Sequence, residues 1–528
     1  MESQKSIKKK NRVPIRALIQ VASVAAGVQF GWALQLSLLT PYVQELGIPH
    51  AWASFIWLCG PISGMIVQPI IGHYSDSCTS AYGRRRPFIL GGAALVIVAV
   101  LIIGYSADLG YLVGDTFDSR PRAIIIFVVG FWVLDLANNT LQGPCRALLA
   151  DFTGKDQTRN RRANAFFSLF MALGNILGFA TGAYSGWYKI FPFTYTEACD
   201  VACANLKSAF LLGVLMLVLT TFLSVTAASE IPYDPLTKKH SVVKAVTPLL
   251  SEKNESSSSV VNANDEEDDD EDDEEPESEA LFTELLGALR DLPRPMWYIL
   301  LVTALTWIAW FPFLLFDTDW MGREVYNGEP SDPVKSVWYY DGVHMGSVGL
   351  MLQSVVLGLS SLCIEFVCRK LGSSYVWAIA NVIMSLCFVG TAVVSKAAQH
   401  AAHLAPNQEP PAYIIYSCLA IFAVLGAPLA VTYSVPYALT ATYTEKVGGG
   451  QGLSVGVLNL AVVTPQVLVS IGSGPWDELF GGGNMPAFLL GAGAALLGGI
   501  AAVLLLPRPP PDFKTRNRLR RTHSSPIP

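Results

Sequence analysis

Apolar runs of bilayer-spanning length recur along the chain at roughly 16–39, 51–72, 87–107, 122–143, 163–184 and 208–227, and, after a polar gap, at 296–316, 345–368, 374–395, 412–435, 451–472 and 485–506. None alternates apolar and polar positions as the strands of a membrane barrel must, so the pattern predicts helices. The expected fold is an all-α integral membrane protein with twelve transmembrane helices in two six-helix halves. The boundaries follow: a basic tail over 1–15, an N-terminal bundle over 16–228, an acidic linker over 229–295, a C-terminal bundle over 296–507 and a basic tail over 508–528.

Composition agrees with a lipid environment, because 15% of residues are charged against about 25% in soluble domains. With both termini in the cytosol, and the linker left out, 23 basic residues fall on cytosolic segments and seven outside, as the positive-inside rule requires. Cys199 and Cys203 share a short loop on the outer, oxidising side in this map. They are expected to pair, two free thiols being the alternative. The other cysteines lie mostly in spans, where a thiol packs as a small hydrophobe. No catalytic triad, nucleotide loop or metal-ligand spacing occurs, so the chain reads as no enzyme, with no cofactor and no nucleic-acid partner.

The linker includes eleven consecutive acids, Asp265 to Glu275, and without them the formal net charge turns from −6 to +5. Such a segment cannot bury apolar area and should be a disordered, solvated spacer. Phosphorylation at Ser256 to Ser259, or docking of a cytosolic regulator, is the alternative. LFTELLGALR, apolar at 281, 282, 285, 286 and 289, should form a helix on the membrane surface. Asn254-Glu255-Ser256 is a glycosylation sequon, to be modified only if the linker faces the lumen.

Each half contains a short basic loop between its second and third spans, GHYSDSCTSAYGRRRPF at 72–88 and EFVCRKLG at 365–372. Two parallel six-span repeats are the layout of major facilitator carriers, which bind solute between the halves and rock around it. Asp76 with Arg84, Arg85 and Arg86 resembles that superfamily's loop motif, with longer spacing, and would latch one conformation. Arginines that only fix topology are the alternative.

The fourth run, FWVLDLANNTLQGPCRALLADF at 131–152, is interrupted by Asp135, Asn138, Asn139, Gln142 and Arg146. At about 100° per residue these positions share one helix face. A charge at mid-membrane costs at least about 2.5 to 3.5 kcal/mol, so the face must turn toward protein or a water-filled cavity. Asp135 and Arg146 are about 16 Å apart along the helix axis, too far to neutralise each other. Without a partner on another helix, Asp135 must be hydrated or protonated, which suits it to load and release a proton; a structural, hydrogen-bonded aspartate is the alternative. Arg146 would hydrogen-bond a polyol or pair in turn with the ionised acid, or simply snorkel.

Sugar sites combine amides and carboxyls with aromatic faces. Gln29, Trp32 and Gln35 in the first span, TWIAWFPFLLFDTDW in the seventh and TYSVPYAL in the tenth supply such groups. For any single aromatic, packing or interfacial anchoring is the first reading, and the collection favours a neutral polyol over an ion.

Several segments together, GWALQLSLLTPYVQELGIPHAW, YGRRRPF, LDLANNTLQGPCRALLAD, FPFLLFDTDWMGREVY, YSVPYAL, GQGLSVGVLNL and SGPWDELFGGGN, resemble the plant proton-sucrose symporters, in the glycoside-cation branch of the major facilitators. The likeness runs from about residue 16 to 507 and fails in the tails and the linker. The resemblance implies that Asp135 is the proton-coupling acid and Arg146 an essential arginine. It also implies that Asp317, Asp319, Arg323 and Glu324 form the charged group at the outer end of span seven, and that His50 is linked to sucrose access. From the residues alone His50 is a loop histidine and Asp317 and Asp319 are loop acids. Glu45 departs from the apolar residue expected there.

The expected function is import of sucrose, and of related glucosides, by symport with a proton. The site would comprise Asp135 for the proton and Arg146, Asn138, Asn139, Gln142, Gln35, Trp32, His50, Asp317, Asp319, Arg323 and Glu324 for solute binding or gating. The expected partners are sucrose, the proton and the bilayer, for a monomer in the plasma membrane, the vacuolar membrane being the alternative. A uniporter or a non-transporting sugar sensor with the same fold are the rival readings.

Overall fold

The computed structural model of the protein describes residues 14–116, 119–153, 157–228, 292, 294–332, 334–404, 408–445 and 451–506. The first half comprises α1 (Ile15–Glu45), α2 (Cys59–Ser77), α3 (Arg86–Gly104), α4 (Pro121–Thr153), α5 (Gln157–Ala183) and α6 (Val201–Ala227). The second comprises α7 (Arg294–Trp320), α8 (Ser336–Leu371), α9 (Ser373–Leu404), α10 (Ala412–Glu445), α11 (Gln451–Leu479) and α12 (Met485–Leu504). Among the described residues, eleven helical stretches are long and apolar enough to cross a bilayer, and α11, with two internal prolines, is the remaining long helix. The tails, the acidic linker with its expected surface helix, its serines and its sequon lie outside the described residues.

Packing repeats between the halves. α1 lies against α5 and α6 as α7 lies against α11 and α12; α3 meets α4 as α9 meets α10; α2 meets α4 as α8 meets α10. Between the halves α5 meets α8 and α11 meets α2, and exchanging the halves converts one contact into the other. This is the packing of a parallel repeat. Close approach depends on small residues, as expected where lipid gives helices little hydrophobic reason to associate. A Cβ at Gly174 of α5 would land on the Ala26 carbonyl of α1, and one at Gly178 would lie 2.8 Å from the Phe30 carbonyl. Facing outward, Phe222, Leu362 and Leu386 are more than half exposed, a surface suited to acyl chains.

The aromatic residues of span seven take the packing role that each of them singly suggests. Trp310, Phe313, Phe316 and Trp320 are buried, and the rings of Phe388, Phe422 and Phe488 each lie 5.4 Å from that of Phe313. They build the core of the second half, because rings recurring along one face of a helix gain more by packing between its neighbours than by facing water.

α1 and α7, equivalent in the repeat, share an irregularity. α1 winds as a π-helix over Gln35–Leu39, and α7 continues into a π-helical segment at Met321–Val325. Such segments are rare and cluster at functional sites. The two ends of the bundle are distinguished below as the arginine end, with Arg84 to Arg86, and the disulfide end, where Cys199 and Cys203 are bonded to each other. α6 begins earlier than its apolar run and takes in Lys207, which pairs with Asp108 at 2.5 Å beneath the Tyr105 ring instead of lying in a loop.

Candidate functional site

The polar face of α4 meets a matching face of α2. Asp135 is 1% exposed, and its Oδ2 accepts a hydrogen bond from the Cys59 thiol at 2.9 Å. Gly60 lies beside it, where a Cβ would stand 3.0 Å from the same oxygen. One turn along, Asn139 Nδ2 donates to Ser63 Oγ at 2.8 Å and to the Asp135 carbonyl at 3.0 Å, while its Oδ1 accepts from Gln68 Nε2 at 2.7 Å. The stripe thus points at protein, and its partners are the small and polar positions of CGPISGMIVQ. Sequence reasoning missed Cys59, Ser63 and Gln68. Their only signal was a run of small and polar positions recurring along one face of the second span.

The rest of the stripe divides. Asn138 is buried and lines, with Gln35, a small cavity between α1, α3, α4 and α6. Gln142 and Trp32 are half-buried. Arg146 is exposed and stands over the Phe167 ring of α5 at 5.5 Å. The stripe is too wide to serve a single site: Asn138 turns toward α1, α3 and α6, while Asp135 and Asn139 turn to α2. Among the described residues, the Asp135 side chain takes its one hydrogen bond from Cys59, and its Oδ1 has no partner.

At the disulfide end a second polar cluster joins the halves. Arg323 Nε lies 3.1 Å from Gln44 Oε1 of α1 and 3.2 Å from Asp319 Oδ1, and its Nη1 lies 2.8 Å from Glu329 Oε2. Asp319 also accepts from Tyr339 at 2.6 Å and from Asn484 Nδ2 at 2.9 Å, and that amide reaches Glu324 at 3.0 Å. The backbone N–H of Asn484 donates to Glu324 at 2.6 Å. Nearby, Tyr340 donates to Glu45 at 2.6 Å, His344 Nδ1 lies 2.8 Å from the Gly182 carbonyl, Thr40 donates to the Leu315 carbonyl at 2.9 Å and Thr318 to the Ser37 carbonyl at 3.0 Å. Each of these four bonds crosses from one half to the other.

Of the charged group expected on span seven, Asp319, Arg323 and Glu324 are brought together and Asp317 is not. Asp317 is buried, with Oδ1 accepting from the Thr318 backbone N–H at 2.6 Å and Oδ2 without a partner among the described residues. Two residues further along a helix is the opposite face, which separates 317 from 319. Gln44, Glu329, Tyr339 and Asn484 were missed, because nothing in a linear sequence says which distant amide or hydroxyl will meet a buried carboxylate.

At the arginine end, Arg84 Nη2 lies 2.5 Å from Asp151 Oδ1, and Arg85 Nε lies 3.2 Å from Asp151 Oδ2. Among the described residues, the acid these arginines engage is Asp151, at the end of α4 in the same half. The side chains of Asp76 and His50 lie outside the described residues.

These two clusters belong to a fold that comparison with known proteins identifies. The chain matches the Major Facilitator Superfamily over residues 21–464. It is 55% identical to Sucrose transport protein SUC4 of Arabidopsis thaliana, over 94% of this chain and 91% of that relative. The chain belongs to the sucrose transport proteins of the Major Facilitator Superfamily. Sucrose transport protein SUT2 of Oryza sativa subsp. indica is likewise 55% identical, over 94% of each chain. Among solved structures, the D-xylose-proton symporter superposes with a TM-score of 0.60 at 12% identity, covering 93% of this chain and 98% of that one, and the nucleoside transporter NupG with 0.56 at 12% identity, covering 92% and 98%. Likeness at that identity is one of fold. As a sucrose transport family member the chain is an integral membrane transporter and no enzyme, with Asp135 buried on the α2–α4 seam and Asp319 and Glu324 buried where the end of α7 meets the start of α12.

Proposed function

We propose that the protein imports sucrose into the cytosol together with a proton, the two halves rocking about a solute held between them so that the disulfide end and the arginine end open in turn. Relatives of high identity are named sucrose transport proteins, and a structural neighbour of the same fold is named a sugar-proton symporter. The observation that carries proton coupling is Asp135, a carboxyl buried in a membrane helix with a thiol, and among the described residues no cation, against it. Such a group is costly to keep ionised and has no structural counter-ion to justify it. Loading it from one side and emptying it toward the other would couple solute movement to the proton gradient. One charge is worth about 2.3 kcal/mol per 100 mV and one pH unit about 1.36 kcal/mol.

Arg146, exposed and backed by Phe167, is the group we assign to meeting the hydroxyls of the solute. The Arg323 cluster, with Glu45–Tyr340, closes the disulfide end in this conformation. The bias of basic residues toward the arginine end supports a cytosolic location for that end, and we read the protein as a monomer of the plasma membrane. The Cys59 bond also suits a purely structural aspartate, and with it a uniporter. Voltage clamp separates the readings: sucrose added outside evokes inward current that grows with external acidity for a symporter, and tracer uptake without current for a uniporter. Absence of both leaves a sensor.

A further inference from the structure

We propose that Cys59 is a positioning residue for proton exchange at Asp135, its thiol anchoring Oδ2 so that the proton is taken and given up at Oδ1. This rests on the reading of Asp135 as the proton carrier and extends it to α2.

The two carboxylate oxygens are not equivalent. Oδ2 receives the Cys59 thiol at 2.9 Å and lies where a Cβ at position 60 would stand 3.0 Å away, while Oδ1 has no partner among the described residues. Both side chains are nearly sealed, Cys59 at 3% and Asp135 at 1% exposed. The seam is fixed one turn away by Asn139, which bonds Ser63 and Gln68 of α2 and the Asp135 carbonyl. The carboxyl is therefore held against α2 in one orientation.

A thiol suits this task because it donates one hydrogen and accepts poorly. Donation to an ionised carboxylate is charge-assisted, and weakens when the acid is neutral. The Cys59 bond thus favours the ionised form without competing for the proton, which arrives from water and leaves to water. A lysine or arginine in its place would hold the carboxylate ionised through the whole cycle. Among the described residues, Cys59 is the one titratable group whose hydrogen bonds reach the Asp135 side chain, and Arg146 stands eleven residues along α4.

The test is sucrose-evoked current against external pH, in cells expressing the full chain, with surface protein measured for each variant. Cys59→Ala removes the donor and should move the pH of half-maximal current to the alkaline side by about half a unit, a threefold change in proton concentration, in keeping with one modest hydrogen bond. Cys59→Ser keeps a donor and should leave the midpoint near that of the parent. A purely structural role would change the amount of protein and leave the midpoint in place, so an unmoved Cys59→Ala midpoint overturns the proposal. Should Cys59→Ala fail to reach the membrane, Cys59→Val, nearer the original volume and also without a donor, takes its place with the same expected shift. Asp135→Asn in the same cells tests the underlying reading separately. Acid-dependent current that survives there removes Asp135 as the carrier, whereas its loss beside an unmoved Cys59→Ala profile removes only the thiol's part.

Discussion

The guanidinium of Arg323, in the second half, and the side-chain oxygen of Gln44, in the first, meet at 3.1 Å, and the same cation reaches Asp319 and Glu329 at 3.2 and 2.8 Å. One side chain therefore neutralises two acids of its own half and ties both to the opposite half. Rocking cannot open the disulfide end without breaking the Gln44 contact, and it can leave the rest intact. What opening breaks at this point is the pair of donations from Arg323 Nε and Nη2 to the one Gln44 oxygen, hydrogen bonding to a charged group worth at least about 1.5 to 3 kcal/mol, and not the separation of an ion pair.

Gln44→Leu should make the disulfide end open about tenfold more readily, the lower part of that range. The check is the rate at which an impermeant thiol reagent labels a cysteine introduced at Val343, which lines the cavity beside Tyr340 and His344. Labelling that is no faster than in Val343→Cys alone would show that the Arg323 tie does not hold this end closed.

Asp135→Asn keeps the shape of the side chain and removes its ability to ionise. Accumulation of labelled sucrose should fall to equilibrium, with an internal-to-external ratio near that of cells treated with a protonophore, while exchange of sucrose down its own gradient continues. Concentrative uptake that remains sensitive to the protonophore would place the proton elsewhere.

Asn484 gives one amide to two buried carboxylates, Asp319 and Glu324. Asn484→Asp would put a third carboxyl against them and remove the donor. Leaving such groups unsatisfied or like-charged costs several kcal/mol, so folded protein at the cell surface should drop sharply. Near-normal thermal stability in detergent would show that the cluster tolerates the extra acid.

The disulfide closes a loop with a sequence separation of four residues. Chain-entropy reasoning gives such a short loop about 2 kcal/mol at most. Joint replacement of Cys199 and Cys203 by serine should lower the detergent-solubilised melting temperature by a few degrees and leave the sucrose KM unchanged. A changed KM would tie the loop to solute binding.

Gly178 of α5 lies against Phe30 and Ala33 of α1. Gly178→Val should force those helices apart and cost more than the about 1 to 3 kcal/mol of ordinary overpacking, because the added carbons meet backbone atoms that cannot rotate away. Surface expression measures it. A variant that transports normally would mean that α5 shifts without consequence to the seam with α8.

Much of the fold was legible along the chain because lipid imposes one rule on every span: roughly 20 apolar residues in a helix that satisfies its own backbone. Twelve runs, the half-way gap and the repeated basic loops followed from that rule. So did the oddity of Asp135, since a carboxyl in such a run must have a reason. The aromatics of span seven were not legible in the same way. A run of rings has the same sequence whether it faces a solute or its own core, and only the positions of α9, α10 and α12 around Phe313 decided for the core.

The sequence by itself determined which residues are expensive to bury, Asp135, Arg146, Asp317, Asp319, Arg323 and Glu324 among them, because the cost of a charge in hydrocarbon belongs to the side chain. The tertiary structure alone decided what each one meets: Cys59 for Asp135, Asn484 for Asp319 and Glu324, Gln44 for Arg323, Asp151 for Arg84 and Arg85. Hydrogen bonds reach about 3 Å, and which atoms of distant helices come that close is set by how α2, α4, α7 and α12 pack, a property of the whole bundle that no single segment contains.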